Sequence, residues 1–325
     1  MPVLGKEGER LEGSSQDLKT SGFWAAALAL AGVQIGFASG YPITKELLAF
    51  FDPLYWSTLR AVIATVVFWA LCRARGIPLR PKASHGRLVL LSMLGVTLNQ
   101  VFFALGLERS TPTEAAFICT SIPVWVYLTA LVIGNERVDW RRLVGIGTAI
   151  GGIWMLFGRP QGAASFFNFA NAAVYGLYVA LAWREMRSHH PFALLFWLFL
   201  YGGAAMALAS AVLSFAGLAR VETLTSLGDA ALWWRAAYLV GVGTVLTYAC
   251  NAYAARRFPA SVIGVAITAQ PLLTAALERL LYRQALDARL GAAGALICGG
   301  VALSSLAAIP RRKRDDPPTK GKLSV

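Results

Sequence analysis

The 325-residue sequence is too apolar for a soluble domain, since hydrophobic residues make up 57% of it, charged residues only 14%, and the mean hydropathy is +0.56. The net charge of +13 does not point to nucleic acid, because the Lys and Arg residues flank apolar stretches and form no basic, aromatic face for stacked bases. The composition therefore predicts a polytopic protein that lies in the lipid bilayer.

Ten apolar stretches follow one another along the chain, most of them long enough to cross about 30 Å of hydrocarbon as a helix. The predicted spans are residues 22–41, 53–71, 87–107, 112–133, 143–157, 165–183, 191–215, 233–253, 259–282 and 290–309. The predicted fold class is an all-α membrane protein with ten transmembrane helices. We divide it into a cytoplasmic N-terminal tail (1–21), two five-helix repeats (22–157 and 158–309) and a basic cytoplasmic tail (310–325).

Basic residues are distributed unevenly between the two sides of this arrangement. The side that carries both termini holds 21 Lys and Arg residues and the other side holds seven, while Arg60 and Arg279 fall inside spans. The positive-inside rule therefore places both termini in the cytoplasm. The first span starts after a polar segment and lacks a small-residue cleavage site, so we expect a retained helix in a bacterial inner membrane.

The second half of the chain repeats the first at a constant spacing. A shift of 148 residues aligns the third to fifth spans with the eighth to tenth, and a shift of 138 aligns the second span with the seventh. The aligned pairs include Gly95 with Gly243, Pro123 with Pro271, Gly151-Gly152 with Gly299-Gly300, and Pro53 with Pro191. Because each repeat contains an odd number of spans, the repeats have opposite orientations, which is the inverted-repeat design of secondary carriers.

These residues give the chain a family resemblance over about residues 23–309. It resembles the EamA branch of the drug/metabolite transporter superfamily, on Gly36 to Lys45, Pro53 with Arg60, Thr113 to Phe117, Pro123, Gly134 to Val138, Gly145 to Gly152, Tyr175 to Tyr178, and Pro271. The resemblance implies ten helices around a central cavity, alternating access by rocking of helix groups, and small metabolites or drugs as solutes. One position departs from the pattern, since Gln284 stands where the first repeat has Glu136.

Glycines at four-residue spacing predict faces of close helix packing. Gly32, Gly36 and Gly40 leave one face of the first helix without side chains, so another helix can approach it. The same spacing recurs in the fifth and tenth spans at Gly147, Gly151, Gly291, Ala295 and Gly299.

Two symmetric prolines and one capping sequence mark the fourth and ninth spans. Pro123 and Pro271 each free a carbonyl group one turn earlier, so they predict either paired gating kinks or simple packing kinks. Thr111 to Glu114 has the pattern of a capping box with proline at the first helical position.

Polar side chains recur in the middle of several spans. An unpaired amide in hydrocarbon costs several kcal/mol, so these groups must bond to one another or face a polar cavity. The predicted cavity residues are Gln34, Tyr41, Asn99, Gln100, Tyr175, Tyr178, Asn251 and Gln270.

Two charged residues inside spans fall at similar predicted depths. Arg60 and Glu278 each lie roughly 6 to 10 Å below the non-cytoplasmic surface, at the 1.5 Å rise of an α-helix. Neither has a charged counterpart in the other repeat. One hypothesis is that they pair, directly or through water, at the outer gate, with Glu278 as a site of proton coupling; the alternative is that both extend to the headgroups.

The function predicted from these features is secondary transport of a small-molecule solute. The sequence lacks the HExxH, GxSxG and Walker A motifs, and its four cysteines and three histidines have no ligand spacing, so we predict no enzyme activity, metal or cofactor. Amides and aromatics with few charges favour amino acids or related compounds, with a hydrophobic or aromatic side chain, which the protein would export. Another metabolite or a drug, or a membrane-embedded enzyme or assembly factor, remain the alternatives, and the oligomeric state stays open.

Overall fold

The computed structural model describes residues 4–134, 138–157, 162–216, 230–258, 260–283 and 288–307. Residues 136 and 284, where the sequence departs from the family pattern, lie outside the described residues, as does the basic tail 310–325. The described residues form ten helical units, which we number α1 to α10.

Six of these units are uninterrupted and four contain a local irregularity. The uninterrupted helices are α1 (Leu4–Leu47), α2 (Pro53–Ala74), α5 (Trp140–Phe157), α6 (Gly162–Ser188), α7 (Pro191–Phe215) and α10 (Ala288–Ala307). The interrupted helices are α3 (His85–Ser92, π-helical Met93–Leu98, Asn99–Glu108), α4 (Pro112–Cys119, Ile122–Val132), α8 (Ala230–Val240, π-helical Gly241–Leu246, Thr247–Ala255) and α9 (Ala260–Ile267, Ala269–Tyr282).

The all-α membrane fold predicted from the sequence is confirmed. By length and apolar composition alone, five described segments can each cross a bilayer, and these are Phe23–Leu47, Pro53–Ala74, His85–Glu108, Pro112–Val132 and Pro191–Phe215. Shorter apolar helices occupy Phe166–Ala182 and Gly291–Ser304. One difference is that α1 begins at Leu4, so the helix starts within the segment predicted to be a tail.

The irregularities of the helices occur at equivalent positions in the two repeats. The π-helical segments Met93–Leu98 and Gly241–Leu246 are related by the shift of 148, and so are the breaks at Thr120 and Thr268. Packing follows the same symmetry, because α2 packs on α7, α5 on α10, α3 on α6 and α1 on α8. The protein is thus two inverted five-helix repeats packed around a pseudo-twofold axis.

Threonine hydroxyls satisfy carbonyl groups where α8 becomes π-helical. Thr244 Oγ1 donates to Leu239 O at 3.0 Å, and Thr247 Oγ1 donates to Val242 O at 2.6 Å, each five residues back. Such bonds re-satisfy backbone groups that a wider helical turn releases inside a membrane. The capping box predicted at the start of α4 is also present, with Thr111 and Glu114 each accepting from the other's backbone N–H.

The glycine faces differ from the predicted ones. Gly36 faces Thr247 of α8 so closely that a β-carbon would collide with its hydroxyl, whereas Gly40 leaves 3.7 Å to Leu239 and Gly32 has open space. Only Gly36 of the three predicted packing glycines is therefore required by close approach; the prediction for Gly32 is wrong.

The contact between α5 and α10 also uses other glycines than predicted. Gly147 and Gly151 face open space. A β-carbon on Gly145 would lie 2.6 Å from Gly300 O, and one on Gly152 would lie 2.8 Å from the backbone of α10. The two helices meet along glycines spaced by seven residues, two full turns, rather than by four.

Candidate functional site

A cavity of about 290 Å³ lies between the two repeats. It is lined mainly by α1, α3, α4, α6, α8 and α9, and α2 contributes Arg60. Seven of the eight predicted cavity residues line it, namely Gln34, Tyr41, Asn99, Gln100, Tyr175, Asn251 and Gln270.

Tyr178 is the predicted cavity residue that does not line the cavity. It is only 5% exposed, and its ring covers Gly95, where a β-carbon would lie 2.5 Å from the ring. Its ring centroid is 5.5 Å from that of Tyr175, so it supports the wall from behind. The glycine of α3 and the tyrosine of α6 thus pack as a pair, which the spacing of polar residues alone cannot reveal.

Some of the predicted amides bond to protein rather than facing the cavity freely. Gln270 Nε2 donates to Gln34 Oε1 at 2.8 Å, and Gln34 Nε2 donates to Leu30 O at 3.3 Å. This pair links α9 of one repeat to α1 of the other. Both alternatives left open by the sequence therefore hold for these two glutamines, since they bond to each other and also line the cavity.

Three other amides have no such partner. The side chains of Asn99, Gln100 and Asn251 line the cavity and make no hydrogen bond to any of the residues that the structure describes. Buried amides normally find a partner. These three are therefore available to a solute or to water within the cavity.

Aromatic rings form the apolar walls of the same space. The rings of Tyr41 and Phe103 meet edge to face at 5.3 Å, and those of Phe37 and Tyr248 at 6.0 Å. With Tyr175 they surround a volume suited to an apolar or aromatic group.

Sequence reasoning missed several lining residues, and the repeat itself could have identified one of them, Tyr248. Tyr248 is the equivalent of Gln100 at a shift of 148, and Asn171 is the equivalent of Val33 at a shift of 138. Asn171 donates to Asn99 O at 2.7 Å and accepts from Cys119 Sγ at 3.1 Å. Tyr127 and Arg142 also line the cavity without having been predicted.

Both charged residues that the structure describes in the cavity lining are basic. Among the described residues that line the cavity, Arg60 and Arg142 are charged, and none is Asp or Glu. Arg60 is 7% exposed and donates from Nε and Nη2 to Thr244 Oγ1, at 3.3 and 3.1 Å. The guanidinium of Arg142 lies 4.6 Å from the centre of the Tyr127 ring.

The predicted pairing of Arg60 with Glu278 is wrong as a direct contact, and so is the alternative that both extend to headgroups. Glu278 is 3% exposed and accepts from the backbone N–H of Thr113 at 2.9 Å and from its hydroxyl. It belongs to a second pocket that does not include Arg60. Both charges are buried in protein, each with its own partner.

Glu278 and Lys45 hold the turn between α3 and α4 from two sides. Lys45 Nζ donates to Leu107 O at 2.9 Å and to Glu108 O at 2.7 Å, at the C-terminus of α3. Glu278 accepts from Thr113 in the first turn of α4. A cation at a helix C-terminus and an anion at a helix N-terminus are each favourable. We call this arrangement of Lys45, Glu278 and Thr113 the distal clasp, because it lies on the side of the membrane domain opposite to the start of α1.

The cavity opens toward one side of the membrane domain. We call the side on which α1 begins the N side and the other side the distal side; successive helices alternate in direction. Lining residues near N-side helix ends are Arg142, Met186, Ala255, Ile263 and Ser304. Thr44 lines the cavity near the distal end of α1, where it is only 1% exposed. On the distal side, a buried cluster that includes Tyr41, Leu47, Trp56, Leu107 and Leu239 fills the space. The structure is therefore open toward the N side and closed at the distal side, where the clasp lies.

The two predicted gating prolines differ in position. Pro123 lines the cavity just after the break at Thr120 and Ser121 in α4. Pro271 is buried after the equivalent break at Thr268 in α9, and it does not line the cavity. The kinks are symmetric in the chain, but only the first borders the site.

Comparison with known proteins agrees with this architecture. Residues 23–158 and 163–306 each match the EamA-like transporter family. A WAT1-related protein of Arabidopsis thaliana is 29% identical over 130 residues, which are 39% of this chain and 35% of that protein. An S-adenosylmethionine/S-adenosylhomocysteine transporter of Chlamydia trachomatis is 28% identical over 133 residues, which are 40% of this chain and 41% of that protein. The chain thus matches about two fifths of the length of these relatives.

One solved crystal structure has the same fold. It superimposes with a TM-score of 0.62 over 87% of this chain and 97% of that chain, at 19% sequence identity. This similarity concerns the fold alone.

Proposed function

The chain belongs to the EamA-like transporter family and is a secondary transporter of metabolites, and we propose that it exports amino acids or related compounds by alternating access. A central cavity between inverted repeats, open at the N side and closed at the distal side, is the observation that carries the proposal. Inverted repeats give a carrier two related conformations, open to opposite sides of a fixed site.

The chemistry of the cavity supports the class of solute. Unpaired amides at Asn99, Gln100 and Asn251 can orient polar groups, while the aromatic walls accept an apolar side chain. S-adenosylmethionine and S-adenosylhomocysteine, named for the relative from Chlamydia trachomatis, are themselves amino-acid derivatives. The match to that relative therefore supports the same broad class here.

Export is proposed from the orientation of the open cavity. If the N side is cytoplasmic, as the 21 to seven distribution of basic residues predicts, the cavity faces the cytoplasm and can take up solute there. A reporter fused after Ile309 should then report cytoplasm, and one fused within residues 221–229, which lie outside the described residues, should report the opposite side. The reverse result at either position would contradict this orientation.

Counterflow in proteoliposomes tests the function. Purified protein is reconstituted with one unlabelled solute inside, and uptake of the same labelled solute is measured for amino acids, nucleobases, sugar phosphates and cationic drugs. We expect exchange of amino acids with large apolar side chains. Exchange confined to another class would overturn the amino-acid proposal, and the absence of any exchange would contradict transport by this protein alone.

A matched pair of variants links transport to the cavity. Asn251→Ala removes an amide that lines the cavity, whereas Cys250→Ala alters the neighbouring residue, which does not line it. We expect the first variant to lower counterflow at least tenfold and the second to retain it. Equal counterflow in the two variants would show that this amide does not contact the solute.

A further inference from the structure

Arg60 is a buried cation that forms no ion pair with any carboxylate that the structure describes. It lies in α2, roughly 10 Å from the distal end of that helix at the α-helical rise, and none of the described residues that line the cavity is acidic. Intramembrane charges are costly and are usually paired or face a water-filled site. The chain therefore maintains a positive charge beside the cavity without neutralising it.

The guanidinium is fixed along one edge only. Thr244 Oγ1 donates its own proton to Leu239 O, so its lone pairs remain to accept from Arg60 Nε and Nη2. No other hydrogen-bond acceptor for Arg60 occurs among the residues that the structure describes. The Nη1–Nη2 edge keeps its donors, and this edge has the geometry that binds a carboxylate with two parallel hydrogen bonds.

The repeat does not impose this residue. The position equivalent to Arg60 is Leu198, which is 1% exposed and packs in an apolar cluster with Phe68 and Phe199. The acceptor for Arg60 lies in the π-helical segment of α8, and such segments are frequent at functional sites. A charge present in one repeat only, and oriented by the irregular part of a facing helix, is a feature of the site rather than of the fold.

From this geometry we propose that Arg60 binds the carboxylate of the transported solute. The proposal rests on the proposed function and narrows its substrate class to small monocarboxylates with an apolar or aromatic body. The carboxylate is the required group and an ammonium is not, because the described lining offers no carboxylate to pair with one. A phosphate monoester is disfavoured, since its two charges call for more than one cation at this depth.

Four ligands that share a phenyl ring separate these requirements. Phenylalanine has both charged groups, 3-phenylpropionate lacks the ammonium, phenylalaninamide lacks the carboxylate, and phenyl phosphate carries a phosphate. Affinity for purified protein is measured from intrinsic tryptophan fluorescence, and competition is measured in the counterflow assay. In the wild type we expect the amide to bind at least tenfold more weakly than phenylalanine, and 3-phenylpropionate to bind within about threefold of it.

Variants then assign this preference to Arg60. Arg60→Gln should abolish the difference in affinity between phenylalanine and phenylalaninamide. It should still bind phenylalaninamide, which would also show that the variant is folded. Arg60→Lys keeps the charge but loses the planar guanidinium that can donate two parallel hydrogen bonds, so it should retain a smaller preference for phenylalanine over phenylalaninamide. Arg73→Gln serves as the matched control and should leave the preference unchanged, because Arg73 lies in the same helix as Arg60 but is exposed and does not line the cavity.

Several results would overturn the proposal. The proposal is wrong if the wild type binds phenylalanine and phenylalaninamide equally well, or if it binds phenyl phosphate more tightly than phenylalanine. It is also wrong if none of the four ligands binds, or if Arg60→Gln keeps the wild-type preference for phenylalanine over phenylalaninamide. If Arg60→Gln does not fold, the wild-type affinities and Arg60→Lys still decide the question. Carboxylate binding without counterflow would refute the proposed function and leave this site standing, whereas counterflow without carboxylate preference would do the reverse.

Discussion

Two neighbouring glycines in α5 should respond in opposite ways to the same substitution. A β-carbon on Gly152 would lie 2.8 Å from Ala293 O and 2.8 Å from Ile297 N, whereas one on Gly151 meets nothing within 4 Å. Ordinary contact begins near 3.4 Å, and the obstructing atoms are backbone. Gly152→Ala therefore forces α5 and α10 apart by about 0.6 Å, a strain of the kind that costs about 1–3 kcal/mol in packed cores.

The helix propensity of alanine sets the other side of the comparison. Replacing glycine by alanine within a helix gains about 1 kcal/mol, so Gly151→Ala should be neutral or stabilising. Gly152→Ala should lose up to about 2 kcal/mol after the same gain is deducted. The free energy of unfolding is measured for both variants in mixed detergent micelles, followed by tryptophan fluorescence.

The internal repeat provides a second copy of this experiment. Gly299 and Gly300 are the equivalents of Gly151 and Gly152, and again the first has open space while the second would collide with the backbone of α5. Gly300→Ala should therefore destabilise and Gly299→Ala should not. Equal free energies of unfolding within either pair would refute the assignment of the contact between α5 and α10.

Three further outcomes follow from the structure. Gly36→Ala should lower stability or transport relative to Gly32→Ala, because only the first meets a side chain of α8; indistinguishable variants would argue against close approach there. Glu278→Gln should increase labelling of the cavity residue Cys119 by a membrane-impermeant thiol reagent from the distal side, as read by mass spectrometry, because it weakens the distal clasp; unchanged labelling would mean that the clasp does not gate access. Partial burial and two nearby arginines lower the pKa of His190, whose neutral ring caps α7. The stability that it contributes should be present above about pH 6.5 and be lost as the pH falls below that value, and His190→Asn should flatten the pH dependence measured by unfolding.

The sequence predicts the fold well because its signals are one-dimensional. Apolar length specifies spans, and a constant shift of 148 or 138 residues specifies the repeat; neither requires knowledge of which way a helix is rotated. The π-helical segments at Met93–Leu98 and Gly241–Leu246 could not be predicted, because no residue type marks a wider turn. Their equivalence under the repeat becomes visible only in the structure.

Predictions that depended on helix rotation were less successful. Arg60 and Glu278 fall at similar depths, but depth fixes only the height of a side chain along the membrane normal. Arg60 is directed from α2 toward α8, and Glu278 from α9 toward α4. The four-residue spacing of Gly147 and Gly151 failed similarly, because α5 carries glycines on more than one face and α10 packs against another of them.

The backbone is nearly symmetric, whereas the chemistry of the site is not. Gln100 has Tyr248 as its equivalent, and Asn251 has Phe103, so both of these pairs combine an amide with an aromatic ring. A cavity built this way has distinct polar and apolar regions, and it can orient a solute that has one polar end. A fully symmetric lining would offer the same contacts to both orientations of the solute.

The same asymmetry extends to the ends of the cavity and bears on the conformational equilibrium. The positions equivalent to Lys45 and Glu278 are Trp183 and Ala130, which cannot form a charged clasp at the N side. Hydrogen bonds to charged groups contribute about 1.5–3 kcal/mol each, so the clasp can favour closure of the distal side by tenfold or more over an otherwise symmetric alternative. For the proposed export this bias has a physical use, because the empty protein then returns to the conformation in which the site faces the compartment that supplies the solute.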